Sequence, residues 1–153
     1  MPKPHIEVIA RGVCVMDGHV LVCRNNGCNL CYLPGGHVEF GEPARAALER
    51  EIREELGCSS RAGAFLGGVE HGFVQDGKPR SEINLVFALT RADISVAHPV
   101  VAVESHLQFP WVPVADLASW CLEPSVLVEL LPDWLAGQAP AWQSSGSLAT
   151  ARV

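Results

Sequence analysis

Between Pro43 and Gly57 the chain reads PARAALEREIREELG, and no other stretch restricts the fold so much. Proline suits the first position of a helix, glycine suits the left-handed stop, and Glu42 stands where a carboxylate can cap the first amides. At about 100° of rotation per residue, Ala44, Leu48, Ile52 and Leu56 form one apolar stripe. Such a stripe can pack on a sheet.

The flanking sequence supplies strands. Residues Ile6 to Cys23 are rich in β-branched side chains around an Asp17-Gly18 turn signal, which predicts a hairpin. A short strand, CYLP, leads into Gly35-Gly36. FLGGVEHGFVQ and RSEINLVFAL flank Asp76-Gly77-Lys78 and predict a second hairpin, with Gly67 and Gly68 bulging its first strand. Arg91 to Ser105 reads as a looser connection, and HLQFPWVPV as an edge or bulged strand because of Pro110 and Pro113. A helical turn follows at Asp116 to Trp120, then an apolar helix from Pro124 to Leu131 that Pro132 ends or kinks. Hairpins around one helix, with another at the end, predict an α/β fold: a mixed β-sheet sandwiched by helices. Residues 1–136 form the expected domain. From Gly137 the composition turns to Gly, Ser, Ala and Gln, so 137–153 reads as a tail outside the core, anchored at most by Trp142.

Bulk properties exclude several classes. The 153 residues suit one domain, and 48 % hydrophobic residues exclude a disordered chain. A net charge of −6 without a Lys/Arg cluster argues against duplex nucleic acid. A small phosphorylated substrate stays open, because a metal can supply positive charge locally. No run is apolar over the length of a membrane span, and MPKPHIEVIARG has no signal-like apolar region, so a cytoplasmic protein is expected. Six unevenly spaced cysteines then read as reduced thiols. Cys28 and Cys31 have the spacing of half a zinc site, but Cys23 ends one apolar run and Cys31 begins another, which favours small buried hydrophobes.

Beside the helix's apolar stripe runs a second one, Glu51, Glu54 and Glu55, related by three and four positions so that the side chains meet. A solvated acidic face is the plain explanation. Against it, the glutamates border the core stripe, Ala47 stands where a cationic partner could be and leaves room above it, and Gly35-Gly36 runs into the helix start. Arg50 and Arg53 fall round the other side. Carboxylates that repel one another become binding energy when a cation joins them, and all-oxygen ligands select Mg²⁺ or Mn²⁺. That combination points to phosphoryl chemistry.

Residues Gly36 to Cys58 resemble the Nudix box, G-x5-E-x7-R-E-U-x-E-E-x-G-U, where U is aliphatic. Gly36, Glu42, Arg50, Glu51, Ile52, Glu54, Glu55 and Gly57 stand in their places, and Cys58 replaces the last aliphatic residue. CYLPGG and FPWVPVADL extend the likeness on either side. The resemblance implies an α/β/α sandwich and Mg²⁺-dependent hydrolysis of a nucleoside diphosphate linked to another moiety. It implies metal ligands at Glu51, Glu54, Glu55 and the Gly35 carbonyl, with Arg50 holding a glutamate in place and pairing with Glu42. Glu39 and Glu49 fall at variable positions and are expected to be solvated. The general base is left among Glu54, Glu55 and Glu104, the last in the long connection beside His106.

The substrate is less constrained. Phe40, Phe73, His71 and Trp111 could stack on a base, though aromatics beside a core are more often packing; Arg80 or Lys78 could meet a phosphate, and a solvated turn explains them equally well. Glu70 and Glu82 could project from the hairpin towards the site. A catalytically silent nucleotide-binding regulatory module is the alternative function, and the intact box speaks against it. The β-rich N-terminal half could also pair two copies as a homodimer.

Overall fold

Three consecutive residues show how the layers form in the computed structural model, which describes residues 3–91 and 100–146. Val20 and Val22 join one buried cluster, and Leu21 between them joins another. Successive side chains of a strand point to opposite faces, so this strand is covered on both sides.

The strands are β1 (Glu7–Val13), β2 (Val15–Met16), β3 (His19–Leu21), β4 (Arg24–Asn25), β5 (Cys31–Tyr32) and β6 (Gly35–His37). After helix α1 (Ala44–Leu56) come β7 (Arg61–Gln75), β8 (Lys78–Thr90), β9 (Leu107–Gln108), β10 (Trp111–Pro113) and β11 (Leu122–Glu123). Helix α2 (Leu127–Leu135) and β12 (Ala141–Ser144) follow. The largest sheet has the order β12-β7-β8-β1-β6 and is mixed: β1 runs parallel to β8 and antiparallel to β6. A second sheet, β10-β3-β2, and the pairs β11-β5 and β4-β9 lie beside it.

Helix α1 covers one face. Its Ala47, Leu48, Ile52 and Leu56 pack with Ala10, Leu21, Phe87 and Leu89. Helix α2 covers the other, where Leu127, Leu131 and Trp134 meet Leu33, Val69 and Val86. The α/β/α sandwich with a mixed sheet is therefore the observed fold. No helix among the described residues is long and apolar enough to cross a membrane.

Several local expectations need correction. The first hairpin is only β2 and β3 around Asp17-Gly18, both at positive φ. β1 leaves it at Cys14 to join the large sheet, so an apolar run that reads as one strand serves two sheets. Pro43 is the extended residue before α1, and no side chain caps the helix: Glu42 is turned instead to the Glu39 amide and Arg50. Ala47 is fully buried, so its small size allows close packing on the sheet and leaves no gap above the glutamates. Pro132 lies inside α2, which runs on to Leu135 and forgoes only the bond an amide there would make. Residues 92–99, most of the looser connection, lie outside the described residues. The segment from Gly137 is not all tail: Ala141–Ser144 pairs in parallel with β7 as an edge strand.

Candidate active site

The site begins with a glycine. At Gly36 on β6 a Cβ would fall 2.3 Å from the Glu51 carboxyl carbon, so only glycine lets that carboxylate lie against the strand. The neighbouring Gly35, at φ +145°, faces the Ala10 carbonyl too closely for any side chain. Both residues pair with β1, opposite Ala10 and Arg11. The strand into the helix thus brings bare backbone against α1 where its glutamates emerge.

Arg50 ties this corner together. Its Nε and one terminal nitrogen donate to the two oxygens of Glu42, at 2.8 and 3.0 Å. The other terminal nitrogen donates to Glu51 at 3.0 Å and Glu54 at 3.3 Å, and the His37 carbonyl accepts a further bond at 3.0 Å. Paired forks of this kind are among the stronger charge-assisted bonds. They hold the Glu42 carboxyl below its ordinary range and the guanidinium well above its own. Arg50 therefore does not lie round the far side of the helix. Its long side chain reaches back across the acidic stripe. Glu49 is a second correction, since it is not simply solvated: it accepts the Ala62 amide at 3.0 Å and so fastens α1 to the start of β7.

Glu55 lies deeper. Its Oε2 is buried with no hydrogen-bond partner. Burial pushes its carboxyl from 4.5 to about 8; Glu51, Glu104 and Glu54 add to the rise, and Arg11 opposes it. Burial also raises Glu51, with Arg50 opposing. Arg11 is held by Leu33 O at 3.0 Å and Asn84 Oδ1 at 3.3 Å, and Asn84 in turn donates to Glu82 at 3.3 Å. An orphaned buried oxygen beside two further carboxylates fits a bound cation and the hard-oxygen donor set of Mg²⁺ or Mn²⁺. In the geometry at hand, no three His, Cys, Asp or Glu side chains among the described residues converge closely enough to hold a metal ion. Arg50 draws Glu51 and Glu54 to itself while Glu55 stays buried, so the three glutamates do not meet as their spacing suggests.

Comparison with known proteins adds a family to this geometry. The NUDIX domain model matches residues 4–132. The chain belongs to the NUDIX domain family. An ADP-ribose pyrophosphatase of Methanocaldococcus jannaschii is 36% identical over 89 residues, 56% of this chain and 51% of that protein. An RNA pyrophosphohydrolase of Sodalis glossinidius is 34% identical over 59 residues, 39% of this chain and 32% of that one. The chain spans about half, or less, of the length of such relatives. Among solved structures, the MutT protein of Methanosarcina mazei superposes with a TM-score of 0.67 at 18% identity, covering 90% of this chain and 98% of that one. The E. coli ORF135 protein gives 0.62 at 23% identity, covering 87% and 91%. Both likenesses concern the fold.

Within this Nudix domain the other sequence-predicted residues scatter. Glu104 is exposed, 3.4 Å from His106, and near enough to Glu55 to influence its proton. Phe40 is fully exposed on the loop before α1. Arg80 turns to Glu7 at 3.8 Å. Trp111 packs against the α1 core cluster, and Glu70 accepts the Trp142 indole N–H at 3.4 Å. Phe73 fares differently. It stacks on His71 with centroids 5.0 Å apart, and both line a cavity of about 270 Å³.

Arg11, Asn84 and Glu123 escaped the reading of the sequence. The first two left a signal: a charge and an amide inside β-branched runs, ARGV and INLV, that have no reason to be there for packing. Asn84 is the buried polar residue of the described core.

Proposed function

We propose that this Nudix domain hydrolyses a diphosphate bond in a nucleoside diphosphate linked to another moiety, in a reaction that depends on Mg²⁺ or Mn²⁺. The observation that carries the reading is the buried, unpartnered Glu55 oxygen, which feels the charges of Glu51 and Glu54, in a chain whose Nudix box keeps every glutamate and Arg50. The pyrophosphatase and pyrophosphohydrolase names of the relatives support the same reaction class.

Glu51, Glu54 and Glu55 would hold the cation, with the Gly35 carbonyl as a further ligand. A divalent cation held there neutralises phosphoryl oxygens, acidifies water and steadies the leaving group. Arg50 keeps Glu51 and Glu54 oriented through its bonds to both. Glu42 keeps Arg50 in place. Glu54 and Glu104 are exposed carboxylates bordering Glu55, and each can take the proton of the attacking water.

Nucleoside triphosphates, nucleotide sugars and ADP-ribose, offered with Mg²⁺ and followed by chromatography of the monophosphate, test the proposal. Glu54→Gln and Glu55→Gln are each expected to lower kcat by roughly 100-fold or more. Turnover undiminished in both variants overturns the assignment. The same assay on Glu104→Gln separates the two candidate bases.

A further inference from the structure

The cavity beside Phe73 is formed where two sheets meet. On the large sheet His71 lies opposite Glu82 across β7 and β8. On the small pair Tyr32 lies opposite Glu123 across β5 and β11. These four residues, with Phe73 and Leu30, enclose about 270 Å³. Ordinary small-molecule sites run from about 300 to 1,000 Å³, so the space suits one ring system rather than a whole nucleotide. It connects to the glutamates of α1 by a polar chain: Glu82 accepts from Asn84, Asn84 accepts from Arg11, and Arg11 faces Glu55 electrostatically.

Besides the apolar Leu30, Val74 and Pro124 the lining is aromatic and acidic, with no Lys or Arg among the described residues. Ionised carboxylates accept hydrogen bonds and donate none. A ring that enters must therefore turn N–H groups towards them. One Glu82 oxygen already accepts the Asn84 amide, whereas the Glu123 side chain makes no hydrogen bond or ion pair among the described residues. Of the common bases, adenine and cytosine place an amino donor beside a ring acceptor, and uracil flanks one N–H with two carbonyls. Guanine sets N1–H and an amino group side by side, which matches both oxygens of one carboxylate. The Tyr32 hydroxyl can serve the neighbouring ring carbonyl, and the stacked His71–Phe73 pair offers a flat wall.

We propose that this cavity receives the base of the substrate and selects a guanine-type ring through the carboxylates of Glu123 and Glu82. The inference rests on the nucleotide reading above and narrows it. It also gives the C-terminal segment work. Beyond β12, outside the stretch that matches the family, Ser145 Oγ lies 2.6 Å from His71 Nδ1 and its amide donates to the Glu70 carbonyl at 2.9 Å. Ser145 is a positioning residue: it fixes the imidazole that backs Phe73.

The test compares kcat/KM for guanosine, inosine, xanthosine and adenosine triphosphates with Mg²⁺, alongside calorimetric binding of guanosine and inosine monophosphates. Inosine lacks the amino group and xanthosine replaces it with an acceptor. Guanosine is expected to exceed both by roughly tenfold or more, the effect of one hydrogen bond to a charged group. Glu123→Gln should collapse the guanosine-to-inosine ratio, and Glu82→Gln should narrow it. A ratio within one variant does not depend on how much of that protein is folded. Ser145→Ala should raise KM for guanosine triphosphate with kcat held, and Ser145→Thr should restore it. Equal turnover of guanosine and inosine nucleotides, a preference for adenosine, or a ratio untouched by both glutamate variants overturns the proposal and leaves the diphosphate reading standing. Hydrolysis of no nucleotide overturns the diphosphate reading, and the monophosphate affinities then decide the cavity by themselves.

Discussion

At the scale of residues, the site turns on which cation each carboxylate can reach. Glu42, Glu51 and Glu54 share Arg50, while Glu55 has Arg11 nearby and one oxygen without a partner. Burial lifts the Glu55 carboxyl to about 8 in the folded, metal-free protein, whereas the unfolded chain keeps the ordinary 4.5. Between those values the folded state holds a proton that the unfolded state has lost. The contribution of Glu55 to stability is therefore whole below pH 4.5 and falls away as pH rises to about 8. His71, pushed down from 6.5 by burial, runs the other way near neutrality, so the quantity to read is the difference between two proteins. In EDTA, the unfolding midpoint of Glu55→Gln minus that of the parent chain should grow steadily from pH 5 to pH 8. A flat difference would contradict a buried, proton-holding Glu55. The spacing of the glutamates was legible in the sequence, as was the Arg50–Glu42 pair once the box was recognised. The reach of Arg50 across the stripe was not, because a helical wheel places Cα atoms and says nothing of where a long guanidinium ends.

At the scale of elements, two adjacent glycines on β7 show what periodicity leaves out. Gly67 and Gly68 were expected to bulge the strand, and the pairing with β8 does shift between Phe65 and Gly67. They also admit two indoles. A Cβ at Gly67 would lie 2.3 Å from the Trp134 ring, and one at Gly68 would lie 2.6 Å from the Trp142 ring. Neighbouring residues of a strand face opposite sides, so Trp134 of α2 lies over one face at Gly67, and the Trp142 ring of the edge strand β12 lies over the other at Gly68. Gly68→Val should therefore displace Trp142 at a cost of about 1–3 kcal/mol. Amide exchange at Ala141–Ser144 should accelerate while α1 keeps its protection. Unchanged exchange along β12 would show that the indole does not hold the strand. The long hairpin and α1 could be read in advance because their patterns run for many residues around clear turn and stop signals. β2, β4, β5, β9 and β11 are two residues each, too short for any period, and tertiary pairing alone defines them. The same holds for β12, whose glutamine and serine conceal an edge strand.

At the scale of the whole molecule, folding itself gathers the negative charge. The chain carries −6, and the sandwich sets the Glu51 carboxylate against Gly36, with Glu54 and Glu55 near enough to act on one another's charge, an arrangement that the unfolded chain lacks. A cation that binds only this arrangement stabilises the fold by mass action, by about 2.7 kcal/mol at a hundredfold excess over Kd. For a chain of this size about 1 kcal/mol moves the midpoint by roughly 2–4 °C, so Mg²⁺ at that excess should raise it by roughly 5–10 °C. Protons compete for the same oxygens, and Glu55 holds one up to about pH 8. The increment should therefore be larger at pH 8 than at pH 5.5, opposite in direction to the metal-free trend that Glu55 sets. Sodium at matched ionic strength gives the screening effect alone, and the combined Glu51→Gln, Glu54→Gln, Glu55→Gln variant should show only that. If the triple variant kept the full Mg²⁺ increment, the cation would be acting elsewhere on the acidic surface, and the carboxylate face of α1 would lose its claim to the metal.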